Sequence, residues 1–175
     1  MRWFWIDRFT EFVAGRRAVA IKNVTLAETH LHEYFPGHPV MPQSLILEGL
    51  AQTGGMLLGQ ASNYRARLVL AKVSKAIYHF AARPGDQLVY SAVLDAVGAE
   101  GALITGQCHI NGRVQADVEF YLAVLPSRDE TERLFDPPSF ARLLRLLGVY
   151  EVGIDAEGQP LEFPREFLEA ESHES

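Results

Sequence analysis

Residues 34–60 read YFPGHPVMPQSLILEGLAQTGGMLLGQ, and this run decides the architecture. Prolines at 36, 39 and 42 forbid helix and hold the backbone extended or turned. From Pro42 to Gln60 no proline interrupts, and Ser44 is placed to cap a helix. Leu45, Ile46, Leu47, Leu50, Ala51, Met56, Leu57 and Leu58 cover nearly every side of its wheel. A helix apolar all round is expected to be buried on all sides. It also carries Gly49, Gly54, Gly55 and Gly59. Each costs about 1 kcal/mol relative to Ala in a helix interior, so another backbone or a ligand is expected to approach closely. For Gly54 and Gly55, tight packing on a sheet and a backbone N–H open to a substrate oxygen are equally good readings.

On either side of this helix the signals are strands. Ala18–Leu26 keeps a rough alternation before the proline loop. After residue 67, the runs Leu68–Ser74, Ala76–Phe80, Gln87–Val97, Leu103–Ile110 and Arg113–Leu125 are rich in Val, Ile, Leu and Tyr. Pro84-Gly85-Asp86 and Gly98-Ala99-Glu100-Gly101 separate them, and Asn111-Gly112 predicts a two-residue hairpin turn with positive φ at both residues. One long buried helix with five or six antiparallel strands is an α+β domain, its sheet wrapped on the helix. Such a sheet has edges, which a dimer would cover.

The C-terminal fifty residues differ. Residues 1–125 hold 11 Lys+Arg and 10 Asp+Glu, whereas residues 126–175 hold 5 and 12. The formal charge of −6 therefore belongs to the tail, which argues against nucleic-acid binding. Phe140–Leu147 has helical spacing with Gly148 as a stop. The division expected is a core of 1–125 and an acidic extension of 126–175 with one packed helix and a loosely held end. Within the core, Ser62–Gly85 contains Arg65, Arg67, Lys72, Lys75 and Arg83 and no acid. This is either a solvated face or a docking strip for an acidic partner.

Composition bounds the rest. With 48% hydrophobic residues and 18 aromatic ones, the chain can bury a core. It has no run of about 18 uncharged apolar residues, so no membrane span is expected. The opening, with Asp7 and Arg8 ahead of any long apolar run, does not read as a secretory signal. A single cysteine, Cys108, excludes an internal disulfide and a multi-cysteine zinc site. We expect a cytoplasmic protein.

Glu48 is the most informative residue, being the only charged side chain between Glu33 and Arg65. A carboxylate inside an apolar helix must be partnered or take up a proton with a raised pKa. A group so placed suits general-acid work, although a structural carboxylate tied to nearby backbone donors looks the same in sequence. His30, His32, Tyr34 and His38 in the preceding loop are candidate partners. An extended stretch would project residues 30, 32 and 34 to one side. The spacing of the histidines is not diagnostic of a metal site, and no Gly-rich phosphate loop or nucleophile elbow appears. We expect neither metal nor cofactor.

The run from Tyr34 to Pro42, followed by Ile46-Leu47-Glu48-Gly49-Leu50-Ala51-Gln52-Thr53-Gly54-Gly55, resembles the β-hydroxyacyl-[acyl carrier protein] dehydratases of the FabZ type. Ile6-Asp7-Arg8, Lys22-Asn23-Val24-Thr25 and Arg83–Leu88 extend the resemblance in order over residues 3–125. It implies the hotdog fold, a long central helix wrapped by a curved antiparallel sheet, and a dimer with active sites at the subunit interface. It implies dehydration of (3R)-hydroxyacyl thioesters carried on the 4′-phosphopantetheine of acyl carrier protein. The family's catalytic acid falls on Glu48, and its backbone donor to the thioester carbonyl falls on Gly55. Substrate contacts are expected at Phe35, Pro36, Gly37, Pro42, Gln52 and Gly54, and carrier docking at Arg65, Arg67, Lys72 and Lys75. The family's catalytic His falls on Tyr34, and Gln43 stands where the family usually has Gly. Tyr, with an ordinary pKa of about 10, is a poor base at neutral pH. His38, at a position that varies in the family, is a candidate substitute. An acyl-binding or partner subunit without turnover and a hotdog thioesterase are the alternative readings.

Overall fold

The computed structural model describes residues 4–33, 37–125 and 136–172. The elements in chain order are β1 (Arg8–Val13), β2 (Arg17–Asn23), α1 (His30–Glu33), α2 (Gln43–Gln60), β3 (Arg67–Tyr78), β4 (Gln87–Gly98), β5 (Gly101–Ile110) and β6 (Arg113–Leu125). The extension then adds α3 (Pro137–Leu146), α4 (Val149–Val152), β7 (Gly153–Ile154) and α5 (Arg165–Ser172). The strands form one seven-stranded sheet in the order β3-β6-β5-β4-β2-β1-β7. Every neighbouring pair is antiparallel except β1 and β7. Helix α2 packs chiefly on β4, β2 and β5 in the middle of this sheet. This is the α+β arrangement expected.

Several details differ from the sequence reading, each for a physical reason. Pro42 occupies the N-cap of α2 without a side-chain cap; its carbonyl accepts from the Leu45 and Ile46 amides at 3.0 and 3.3 Å. Ser44 is thus in the first turn rather than at the cap. The runs Leu68–Ser74 and Ala76–Phe80 are one strand, β3, because register shifts near Lys72 and Lys75 absorb the irregular spacing without ending it. The strand expected at Ala18–Leu26 stops at Asn23 and pairs with β1, which the sequence reading did not separate. Residues 30–33 form a helical turn, not an extended segment, so His30 and His32 do not share a side. The Asn111-Gly112 hairpin is as expected, with φ of +51° and +75°.

Nor is α2 buried all round. Ile46, Gly49, Leu50, Ala51, Thr53, Gly54, Leu57, Leu58 and Gly59 are buried, whereas Glu48, Gln52, Gly55 and Met56 are half-buried. The sheet covers one side, and the remaining stripe lines a cavity.

Close packing on the sheet side explains two of the four glycines. Tyr90 on β4 is fully buried between Ala20 of β2 and Cys108 of β5, small neighbours that let its ring reach α2. A Cβ on Gly49 would lie 2.5 Å from Tyr90 Cε2, and one on Gly54 would lie 2.7 Å from Ile104 Cδ1. Gly55 differs, since its nearest such neighbour is Leu122 Cδ1 at 3.8 Å. Gly49→Ala is therefore expected to destabilise by about 1–3 kcal/mol through overpacking. Gly55→Ala should leave stability unchanged or raise it by up to about 1 kcal/mol through helix propensity. Paired thermal melts check the contrast; equal melting temperatures would contradict it.

The extension is more ordered than its charge suggests. Among its described residues, 136–172, it forms three helices and a strand rather than one helix. Asp136 caps α3 by accepting from the Ser139 amide at 3.1 Å, and Gly148, at φ +67°, turns the chain into α4. β7 then pairs beside β1, and the Phe9 amide donates to the Leu147 carbonyl at 2.8 Å. Phe140, Ala141, Leu144, Leu147, Val149 and Phe167 are buried, while Glu151, Glu157 and Glu162 stay exposed. An acidic average conceals an apolar face, and that face holds the extension down.

Candidate active site

On α2, positions 48, 52, 55 and 59 recur at helical spacing and share one face. They line a cavity of about 310 Å³. Phe4, Leu68 and Leu70 of β3, Leu122 of β6, Tyr64 and Phe140 supply apolar walls. The cavity forms where α2 turns its uncovered stripe toward the β3–β6 end of the sheet. Leu70 and Leu122 are register partners there.

Glu48 is the carboxylate of this cavity. Its Oε1 accepts from Gln52 Nε2 at 2.9 Å, one helical turn on. Gln52 Oε1 accepts in turn from the Trp5 backbone amide at 2.9 Å. The Trp5 bond decides the amide's orientation, because a backbone N–H must face the carbonyl oxygen and so leaves the NH₂ for Glu48. The N-terminal segment thus positions Glu48 through Gln52.

Of the residues singled out from sequence, Glu48, Gln52 and Gly55 come together on this cavity. Gly54 does not; its Cα faces Ile104 and Phe120, and packing explains it. Pro42 is half-buried at the start of α2, and Gly37 and His38 are exposed outside the cavity lining. Tyr34, Phe35 and Pro36 lie outside the described residues. His30 lies 3.4 Å from Glu28, and its ring meets Trp5 edge-on at 5.1 Å between centroids. Desolvation holds its pKa below the ordinary value, against the opposing pull of Glu28. Burial pushes the Cys108 thiol up to about 12, so it is protonated at neutral pH and is a packing group rather than a nucleophile.

The acid-free strip divides. Leu68 and Leu70 point it at the cavity, and Lys72 and Lys75 are exposed on β3, with Lys75 3.7 Å from Glu119. Arg67 is half-buried. Arg65 pairs with Glu166 of α5 at 2.8 Å, within the chain. Sequence reasoning missed Phe4, Tyr64, Leu122 and Phe140 as cavity residues. They are ordinary apolar side chains whose meeting depends on elements far apart in the chain.

A carboxylate held by an amide in an apolar cavity can donate or accept a proton shielded from bulk water. The sequence profile of the FabA-like domain matches residues 3–121. The 3-hydroxyacyl-[acyl-carrier-protein] dehydratase FabZ of Thiobacillus denitrificans is 36% identical over 118 residues, covering 65% of this chain and 81% of that one. The enzyme of the same name from Syntrophomonas wolfei is 36% identical over 120 residues, covering 68% and 83%. Among solved structures, the dehydratase heterocomplex ApeI:P of Xenorhabdus doucetiae matches with a TM-score of 0.59 at 15% identity, covering 72% of this chain and 85% of that one. A hypothetical thioesterase with coenzyme A from Streptococcus pneumoniae matches at 0.55 and 14%, covering 70% and 88%. At these identities the structures establish a shared fold.

Proposed function

Since the chain belongs to the FabA-like domain family, we propose that it dehydrates (3R)-hydroxyacyl thioesters on acyl carrier protein to trans-2-enoyl thioesters in acyl-chain synthesis. The observation that carries this is Glu48, oriented by Gln52 and facing an apolar cavity that suits an acyl chain.

The reaction removes a proton from C2 and hydroxide from C3, forming the C2–C3 double bond and releasing water. Protonated Glu48 is the acid for the departing hydroxyl. With Oε1 accepting from Gln52, Oε2 is the oxygen that carries the proton. Gly55, expected to donate to the thioester carbonyl, lies in the interior of α2, where its N–H is taken by the carbonyl four residues back; what it offers the substrate is a bare Cα and open space. Tyr34 occupies the position of the family's base and is a weak base, so the predicted turnover is slow. His38 is the substitute base if the loop carries it inward. The same Tyr34 favours a second reading, in which the site holds an acyl chain without turning it over. An ultraviolet progress curve for enoyl formation from a 3-hydroxyacyl carrier substrate tests the proposal. Stoichiometric binding with no product supports the second reading.

β3 supports the proposed partner and assembly. It is an edge strand of 12 residues with only β6 beside it, and Val69, Val73 and Ile77 are 38–44% exposed. A long apolar edge is a pairing surface, and a second copy of this chain is the proposed occupant. Lys72 and Lys75, exposed on β3 past the wall residues Leu68 and Leu70, are the proposed contacts for an acidic carrier in the cytoplasm. No helix among the described residues is long and apolar enough to cross a membrane. The Lys72→Glu/Lys75→Glu protein should associate with carrier protein about tenfold more slowly at low salt, the difference shrinking as salt rises. Unchanged association at low salt would reject these docking residues.

A further inference from the structure

We infer that the C-terminal extension closes the far end of the cavity and limits acyl-chain length, with Phe140 as the stop. The inference rests on the cavity being the acyl site. Glu48 and Gly59 lie at opposite ends of the cavity-lining face of α2, about 16 Å apart at the helical rise. Chemistry at Glu48 leaves the acyl tail to run toward Gly59. There Tyr64 and Phe140 line the cavity, and their rings meet edge to face at 5.2 Å.

Neither ring is free to swing aside. A Cβ on Gly59 would lie 3.1 Å from Tyr64 Cδ1, so Tyr64 is pressed against the helix. Phe140 is 4% exposed and backed by Phe167 at 5.7 Å, with Phe163 a further 6.2 Å behind and Tyr150 4.8 Å beyond that. The Arg145 guanidinium stands over the Phe163 ring at 4.4 Å. The Arg65–Glu166 pair holds α5 to the segment that carries Tyr64. An aromatic stack of this kind is a rigid floor, because interiors are close-packed and yield little. The floor also belongs to this chain's extension: the family profile ends at residue 121, and Phe140 lies beyond it. An apolar chain gains by burial until it meets the floor, and then must displace it.

The test is a series of saturated-tail 3-hydroxyacyl carrier substrates of increasing length. For the wild type, kcat/KM should rise by up to about fourfold per added methylene and then fall sharply at one length. Phe140→Ala should move that cut-off to longer chains, and Phe140→Trp to shorter ones. Phe140→Leu keeps most of the buried volume and should move it by a smaller step, which covers the case in which the alanine protein fails to fold. If no variant turns over, the functional reading fails. The same series of saturated acyl carriers, read by calorimetric affinity, then still locates the cut-off. A cut-off that stays put in folded Phe140→Leu and Phe140→Ala proteins, by either readout, overturns the inference.

Discussion

Glu48→Gln is expected to lower kcat for dehydration by about 10²–10⁴-fold, the usual contribution of a positioned general acid. The substitution is nearly isosteric, and its side-chain oxygen can still accept from Gln52 Nε2 as Glu48 Oε1 does at 2.9 Å. Packing and the Trp5–Gln52–residue 48 chain therefore survive, and what disappears is a proton deliverable to the leaving hydroxyl. Affinity for the acyl carrier substrate should change little, because the apolar walls from Phe4 to Phe140 are untouched. Single-turnover kinetics beside a binding isotherm separate the two. Substantial activity in the Glu48→Gln protein would reject the dehydratase mechanism and turn attention to the loop histidines.

Tyr34→His is the converse experiment, with an effect of similar size and opposite sign. It places an imidazole, neutral in large part at pH 7, at the position the resemblance assigns to the family's base. If the remainder of the site is intact, dehydration should rise by about 10²–10⁴-fold. Loss of activity would instead show that Tyr34 already serves a working mechanism of its own. Absence of activity in both proteins, with carrier binding retained, would indicate a site whose geometry has drifted, since misplacement by about 1 Å costs on the order of 10²-fold. One pair of progress curves, with Glu48→Gln as blank, distinguishes the three.

The legible parts of this protein are those in which neighbouring residues share one environment. The 18 residues of α2 were readable from the last proline and the apolar wheel, and Asn111-Gly112 from its need for positive φ. Glu48 stood out because a lone charge in an apolar helix requires a reason, but its partner was sought in the preceding loop, and Gln52 one turn later, expected as a substrate contact, is the one that holds it. β1 was harder. A register shift between Phe9 and Glu11 leaves Phe9 and Phe12 both buried three residues apart, which breaks the period of two by which a strand is recognised.

The sequence alone thus determined the main strands of the core, the helix with its carboxylate, and the family, because backbone preference and periodicity act over a few residues. The tertiary structure decided which glycines serve packing. Gly49 and Gly54 face Tyr90 and Ile104, residues about forty or more positions away, and nothing near them in the chain reports that. It also decided that the acidic tail packs against the core. Net charge averages over every face of a segment, whereas docking depends on one. Phe140 and Phe167 gather on that face only once α3 and α5 have folded against Tyr64 and the cavity.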